Sequence, residues 1–239
     1  LSALDAAIKG GQAPDTTSVL VVHRGALVHE AYFNGADRSS LHNTRSLTKS
    51  VTAMLVGAAI NRGLISGVKA PVLGFFPDRT PAHPGAFKNA ITLEDLLTMS
   101  AQWECDDNNE YSAGHEERMY VSADWTGFTL DLPERGYAPW TKRPADSPYG
   151  RAFAYCTANS FLLGAIVERA SHMPLQRFAA EVLERPLGIE VSVWNRSSEG
   201  VGMGGGGTEY RSRDLAKLGQ LLIDNGRWKG RQVLPAAWT

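Results

Sequence analysis

Asn43-Thr44-Arg45-Ser46-Leu47-Thr48-Lys49-Ser50-Val51-Thr52-Ala53-Met54-Leu55-Val56-Gly57-Ala58-Ala59-Ile60 is the stretch on which the reading of the chain turns. From Ser46 onward its Ala and Leu favour a helix, and Gly63 closes it. The apolar face is broad, which predicts deep burial. Ser46-Leu47-Thr48-Lys49 puts a serine and a lysine three residues apart at the start of that helix. Residues at that spacing share a face, so the amine of Lys49 can reach the hydroxyl of Ser46. A serine needs a base to become a useful nucleophile, and a lysine serves when burial or a neighbouring positive charge lowers its pKa. The start of a helix also supplies backbone N–H groups and a positive dipole end, both suited to a developing oxyanion.

The S-x-x-K pattern alone is weak, because a motif needs its structural context. Ser66-Gly67-Val68-Lys69 matches it too, but follows Gly63 and contains a glycine, so it reads as a solvated turn. Working outward, Leu1 to Lys9 has helical spacing (Leu1, Leu4, Ala7, Ile8) and stops at Gly10-Gly11. Ser18–His23 and Ala26–Phe33 read as two strands joined at Arg24-Gly25, a hairpin. Downstream, Phe75-Phe76-Pro77 anchors a loop-rich stretch, and Thr92 caps a helix whose first turn holds Glu94 and Asp95. Residues 104–114 are polar and acidic, a surface loop. Helices are predicted over 124–132, 158–170, 175–183 and 213–225, and 134–150 is proline-rich and irregular. A hairpin followed by several helices points to mixed α and β structure.

The 239 residues carry a net charge of −1, with 43% hydrophobic and 21% charged residues, ordinary for a globular protein. That length buries a sizeable core without a metal or several disulfides. The absence of a long basic run argues against a nucleic-acid partner. No stretch approaches the ~18 apolar residues of a membrane-spanning helix. The chain opens on Leu1, so the lack of a leader leaves export undecided between cytoplasm and a periplasmic or extracellular location. Cys105 and Cys156 are either two buried thiols or one disulfide tying two loops; the count permits both. His29-Glu30 and His115-Glu116 both lack the second histidine of the H-E-x-x-H zinc motif, and Gly204–Gly207 lacks the lysine of a phosphate loop. Glu104-Cys105-Asp106-Asp107 reads as a solvated loop rather than a cation site. No metal or organic cofactor is expected.

Arg45–Ala53 resembles the nucleophile helix of the class C β-lactamase and penicillin-binding protein family, which also holds carboxylesterases, D-aminopeptidases and 6-aminohexanoate-dimer hydrolases. Further segments resemble the family in the same order: the hairpin Val19–Phe33, Ile91–Ser100, Phe153-Ala154-Tyr155 with Phe161–Gly164, and Gly205–Gly207 through Ser212–Ala216. The resemblance implies an α/β (α+β) sandwich, built from residues 1–63 and 188–239, with a mainly helical region inserted over 64–187. It implies acyl transfer on an ester, amide or β-lactam, with Ser46 as nucleophile and Lys49 as base. Tyr155 stands where the family's Y-x-N tyrosine shuttles a proton; a neighbouring ammonium lowers a phenol's pKa. Thr157 replaces the asparagine of that motif and cannot offer both an amide donor and an amide acceptor, which favours the esterase and amidase relatives over efficient β-lactam hydrolysis.

Thr157, Trp103 and Tyr111 are the expected substrate contacts, with Trp125 and Trp140 as further aromatic candidates; each aromatic fits ordinary packing equally well. The family's third motif, K-T-G or H-x-G after the Asp214-Leu215-Ala216 helix, is not in the chain; His23-Arg24-Gly25 is a hairpin turn instead. The expectation is that the last strands and one oxyanion-hole amide lie outside this sequence or come from a partner segment. Two other readings remain beside the hydrolase: a penicillin-binding-type protein that forms a stable acyl adduct, and an inactive scaffold. Substrate and oligomeric state are not legible.

Overall fold

The structure is a computed structural model that describes residues 1–140 and 152–239. Helix α1 (Ser2–Lys9) leads into the antiparallel hairpin β1 (Ser18–His23) and β2 (Ala26–Tyr32). Its turn residues Arg24 and Gly25 have φ of 51° and 77°, the left-handed pair that a two-residue hairpin turn requires. Next come β3 (Leu41–Asn43), α2 (Leu47–Asn61), α3 (Ala86–Ala90), α4 (Leu93–Leu97), α5 (Glu116–Tyr120), α6 (Trp125–Leu130) and α7 (Thr157–Ser171). The chain closes with α8 (Leu175–Ala179), α9 (Arg185–Leu187), β4 (Glu209–Arg211), α10 (Ser212–Ile223) and the short pair β5 (Arg227–Trp228) and β6 (Arg231–Gln232). Helices and strands are mixed as the sequence predicts; among the described residues the strands form three antiparallel pairs, β1–β2, β3–β4 and β5–β6.

The central packing is α2 against α7. Val51, Leu55, Val56 and Ala59 of α2 and Phe161, Leu162, Ile166 and Val167 of α7 are fully buried, and one apolar cluster runs from Val51 to Leu234. Gly57 is where Trp238 crosses α2: a Cβ there would lie 2.5 Å from the indole, whose Nε1 donates to Ala53 O at 2.9 Å. The Thr92 cap forms as predicted, a reciprocal box in which Asp95 N donates to the Thr92 hydroxyl and the Asp95 carboxylate accepts from Thr92 N.

The structure changes three local readings. The helix from Leu175 continues through a π turn at Ala180–Glu184 and past Pro186, ending only at Gly188, whose φ of 63° is the left-handed stop. Residues 104–114 are not simply a surface loop, because Cys105 and Ser112 are each 1% exposed. The β3–β4 pair was not expected; its central pair, His42 and Tyr210, lies 168 positions apart, which no local pattern encodes. The irregular segment predicted over 134–150 lies largely outside the described residues. Among the described residues no helix is long and apolar enough to cross a membrane.

Candidate active site

Ser46 is the N-cap of α2, yet its hydroxyl makes no capping bond. Serine is favoured at that position because it normally accepts from a first-turn N–H. Here the hydroxyl instead accepts from Lys49 Nζ, one turn on, at 3.2 Å. Lys49 Nζ also donates to Gly205 O at 2.5 Å and lies 5.1 Å from the centroid of the Tyr155 ring. Lysine therefore joins the other two residues singled out in the sequence, bonded to the serine and beside the tyrosine ring. Among the described residues the backbone N–H of Ser46 meets no acceptor.

Two features hold the start of α2. Arg45 sits at φ 49°, a left-handed conformation that costs a non-glycine residue about 1 kcal/mol or more. Its N–H donates to Asn43 Oδ1 at 2.9 Å, fixing the bend that turns Ser46 outward. A cluster of hydroxyls then locks α2 to Thr208, the residue just before β4. Thr208 Oγ1 lies 2.7 Å from Thr44 Oγ1 and 2.8 Å from Thr48 Oγ1, and Thr208 N donates to Thr48 Oγ1 at 3.1 Å. One turn further, Thr52 Oγ1 donates to Gly204 O at 2.7 Å.

The glycine run at 204–207 is explained by close approach. A Cβ on Gly204 would stand 2.6 Å from Ser160 O, and one on Gly205 would stand 2.7 Å from Thr157 Cγ2. The run lies flat across the first turns of α7, and this places Gly205 O where Lys49 meets it. Ser46, Gly205, Gly206 and Gly207 line a cleft of about 310 Å³ with Asn43, Arg45, Glu116, Glu117, Tyr120, Trp125, Asn195 and Met203. Tyr120 Oη donates to Glu116 Oε2 at 2.9 Å, and burial, then that carboxylate, pushes the phenol's pKa up.

Tyr155 is held from both sides. Asp107 N donates to Tyr155 O at 2.8 Å, and the Asp107 carboxylate accepts from Thr157 N at 2.6 Å and from Glu116 N at 3.0 Å. Burial pushes the Asp107 carboxyl above its ordinary range, and the Thr157 side chain, then the N–H groups of Thr157 and Glu116, work against that shift. Cys105 and Cys156 are bonded to each other, which closes the alternative of two free thiols.

The structure does not bring the expected substrate contacts to the cleft. Trp103 is 2% exposed; its Nε1 donates to Asn159 Oδ1 at 2.7 Å, and the buried Lys88 ammonium stands 5.4 Å from its ring. It is core packing. Tyr111 and Trp140 are each 88% exposed and outside the cleft lining. Thr157 is 1% exposed, its methyl against Gly205 and its side chain turned to the Asp107 carboxylate rather than to the cleft. Trp125 does line the cleft, with Tyr120 and the acidic pair Glu116-Glu117, which sequence reasoning missed because a five-residue helix leaves little periodic signal. The loop acids serve protein groups: Asp106 pairs with Arg135 at 2.8 Å, and no metal-binding cluster occurs among the described residues.

A helix-starting serine bonded by the lysine one turn on, with a tyrosine ring beside that amine and glycines lining the cleft at the serine, is the arrangement the structure presents. The beta-lactamase family model matches residues 4–226, and the chain belongs to that family. It is 27% identical over 229 residues to the 6-aminohexanoate-dimer hydrolase of Paenarthrobacter ureafaciens, covering 93% of this chain and 56% of that protein. It is 26% identical over 183 residues to the esterase EstB of Burkholderia gladioli, covering 71% of this chain and 44% of that one. The octameric penicillin-binding protein homologue from Pyrococcus abyssi superposes with a TM-score of 0.69 at 17% identity, over 99% of this chain and 58% of that one. The chain thus spans about half the length of the curated relatives it matches.

Proposed function

We propose that the protein is a serine hydrolase that transfers an acyl group from an ester or amide to Ser46 and then to water. The observation that carries this reading is the Lys49 Nζ–Ser46 Oγ hydrogen bond at 3.2 Å, at a hydroxyl that does not cap its helix. Ser46 Oγ attacks the carbonyl carbon while its proton passes to Lys49 and Tyr155, which return it to the departing alcohol or amine. A water then attacks the acyl-enzyme, its proton moves to the same pair, and Ser46 leaves with a proton restored. The Ser46 N–H, free of other acceptors among the described residues, supplies one donor to the oxyanion. The similar 6-aminohexanoate-dimer hydrolase and esterase favour amide and ester substrates. Glu116 and Glu117 beside Tyr120 and Trp125 favour a substrate carrying a positive charge. The disulfide favours an oxidising location, periplasmic or extracellular.

The test is labelling with a fluorophosphonate and turnover of p-nitrophenyl esters, a small amide and a penicillin by the intact protein, beside Ser46→Ala. Labelling and turnover that vanish with Ser46→Ala are the expected result. A persistent penicillin adduct without turnover would move the reading to a penicillin-binding-type protein, and a folded protein that nothing labels would leave a scaffold.

A further inference from the structure

The sequence marks Asp107 only as one acid in a loop, but its bonds are unusual. Its backbone N–H holds the carbonyl of Tyr155, and one carboxylate oxygen holds the N–H of Thr157, two residues on, so the tripeptide Tyr155-Cys156-Thr157 is gripped at both ends by a single residue. The other carboxylate oxygen holds Glu116 N, at the start of the helix that walls the cleft. Cys156, the residue between the two grips, is bonded to Cys105, two residues before Asp107. The stretches 105–107 and 155–157 are therefore tied by two backbone-directed hydrogen bonds and a disulfide, a third bond ties in Glu116, and what lies at the end of the tie is the ring 5.1 Å from Lys49 Nζ.

We propose that Asp107 is a positioning residue, whose carboxylate fixes Tyr155 against Lys49 and Ser46 and sets the cleft wall at Glu116 in register with them. This rests on the acyl-transfer reading above. A carboxylate offers a separate acceptor oxygen to each of the two N–H groups. An asparagine offers one acceptor and turns an N–H₂ towards the other donor. A displacement of Tyr155 of about an ångström is enough to cost a large part of the rate.

The experiment is a double-mutant cycle on the intact protein with a p-nitrophenyl ester: Asp107→Asn, Tyr155→Phe and the pair, with thermal stability recorded for each and Ser46→Ala as the reference. If Asp107 acts through Tyr155, Asp107→Asn lowers kcat about tenfold in the native background and by less than about twofold once the tyrosine hydroxyl is gone. Asp107→Glu keeps both acceptor oxygens and the charge, and is expected to recover part of the loss; it carries the same cycle if the asparagine variant does not fold. Equal losses in both backgrounds, or no loss in the native one, would overturn the proposal while leaving Ser46 as nucleophile. Turnover that survives Ser46→Ala would instead remove the acyl-transfer reading on which it stands.

Discussion

The hairpin β1–β2 and the helix pair α2–α7 are built by opposite means. No residue of either hairpin strand is buried, and Leu27 and Val28 are 41% and 54% exposed. Polar ties hold it instead: Glu30 receives two hydrogen bonds from Arg213 of α10 at 2.6 and 2.5 Å, Ser18 meets Ser212 at 2.7 Å, and His29 meets Asp5 at 3.0 Å. In the helix pair, eleven residues of α7 are buried, and Thr52 and Asn159 are spent on named partners, Gly204 and Trp103. The dyad belongs to the second kind of structure. A lysine that must stay within reach of one hydroxyl needs a helix that cannot roll, and close-packed neighbours supply this where surface ion pairs do not.

That contrast can be broken by substitution, and the core should give the largest effect. Phe161→Ala removes a fully buried ring from the α7 side of the contact and is expected to cost about 3–5 kcal/mol in urea unfolding; a loss under about 1 kcal/mol would mean that the core is not where stability resides. Replacing Cys105 and Cys156 together by serine opens a link between positions 51 apart and should cost about 2–4 kcal/mol. Arg213→Ala should cost about 1 kcal/mol at neutral pH, and it carries a pH signature. The hydrogen bond from Arg213, the first cause, holds the Glu30 carboxyl at about 2 against an ordinary 4.5. A depressed carboxyl pKa adds stability that is complete above the ordinary value and is lost as pH falls towards 2. Native protein should therefore lose stability between pH 4.5 and 2 faster than Arg213→Ala, as thermal melts across that range would record. Smallest of all, Val28→Thr on the exposed hairpin face should change stability by less than about 0.5 kcal/mol.

What could be read in the sequence follows the same divide. The hairpin, its Arg24-Gly25 turn, the Thr92 cap and the two long helices were legible because each is encoded by neighbours in the chain. So was the Ser46–Lys49 pair, one helical turn apart. The hydroxyl cluster of Thr44, Thr48 and Thr208 was not, since it joins residues 160 positions apart. Trp103 shows the limit most clearly. A tryptophan beside an acidic loop fits a cleft or a core equally well, and only the position of Asn159 and Lys88 decides for the core. Asp107 was invisible for the same reason, because its partners are backbone groups that any sequence could present.

The most direct test of the account is to trap the acyl group itself. A slowly hydrolysed p-nitrophenyl ester, quenched in acid within the first turnover and mapped by peptide mass spectrometry, should place one acyl group on the peptide containing Ser46. The same adduct should be strongly diminished in Lys49→Ala. An acyl group on another residue, or one that forms on Ser46 at an unchanged rate without Lys49, would contradict it.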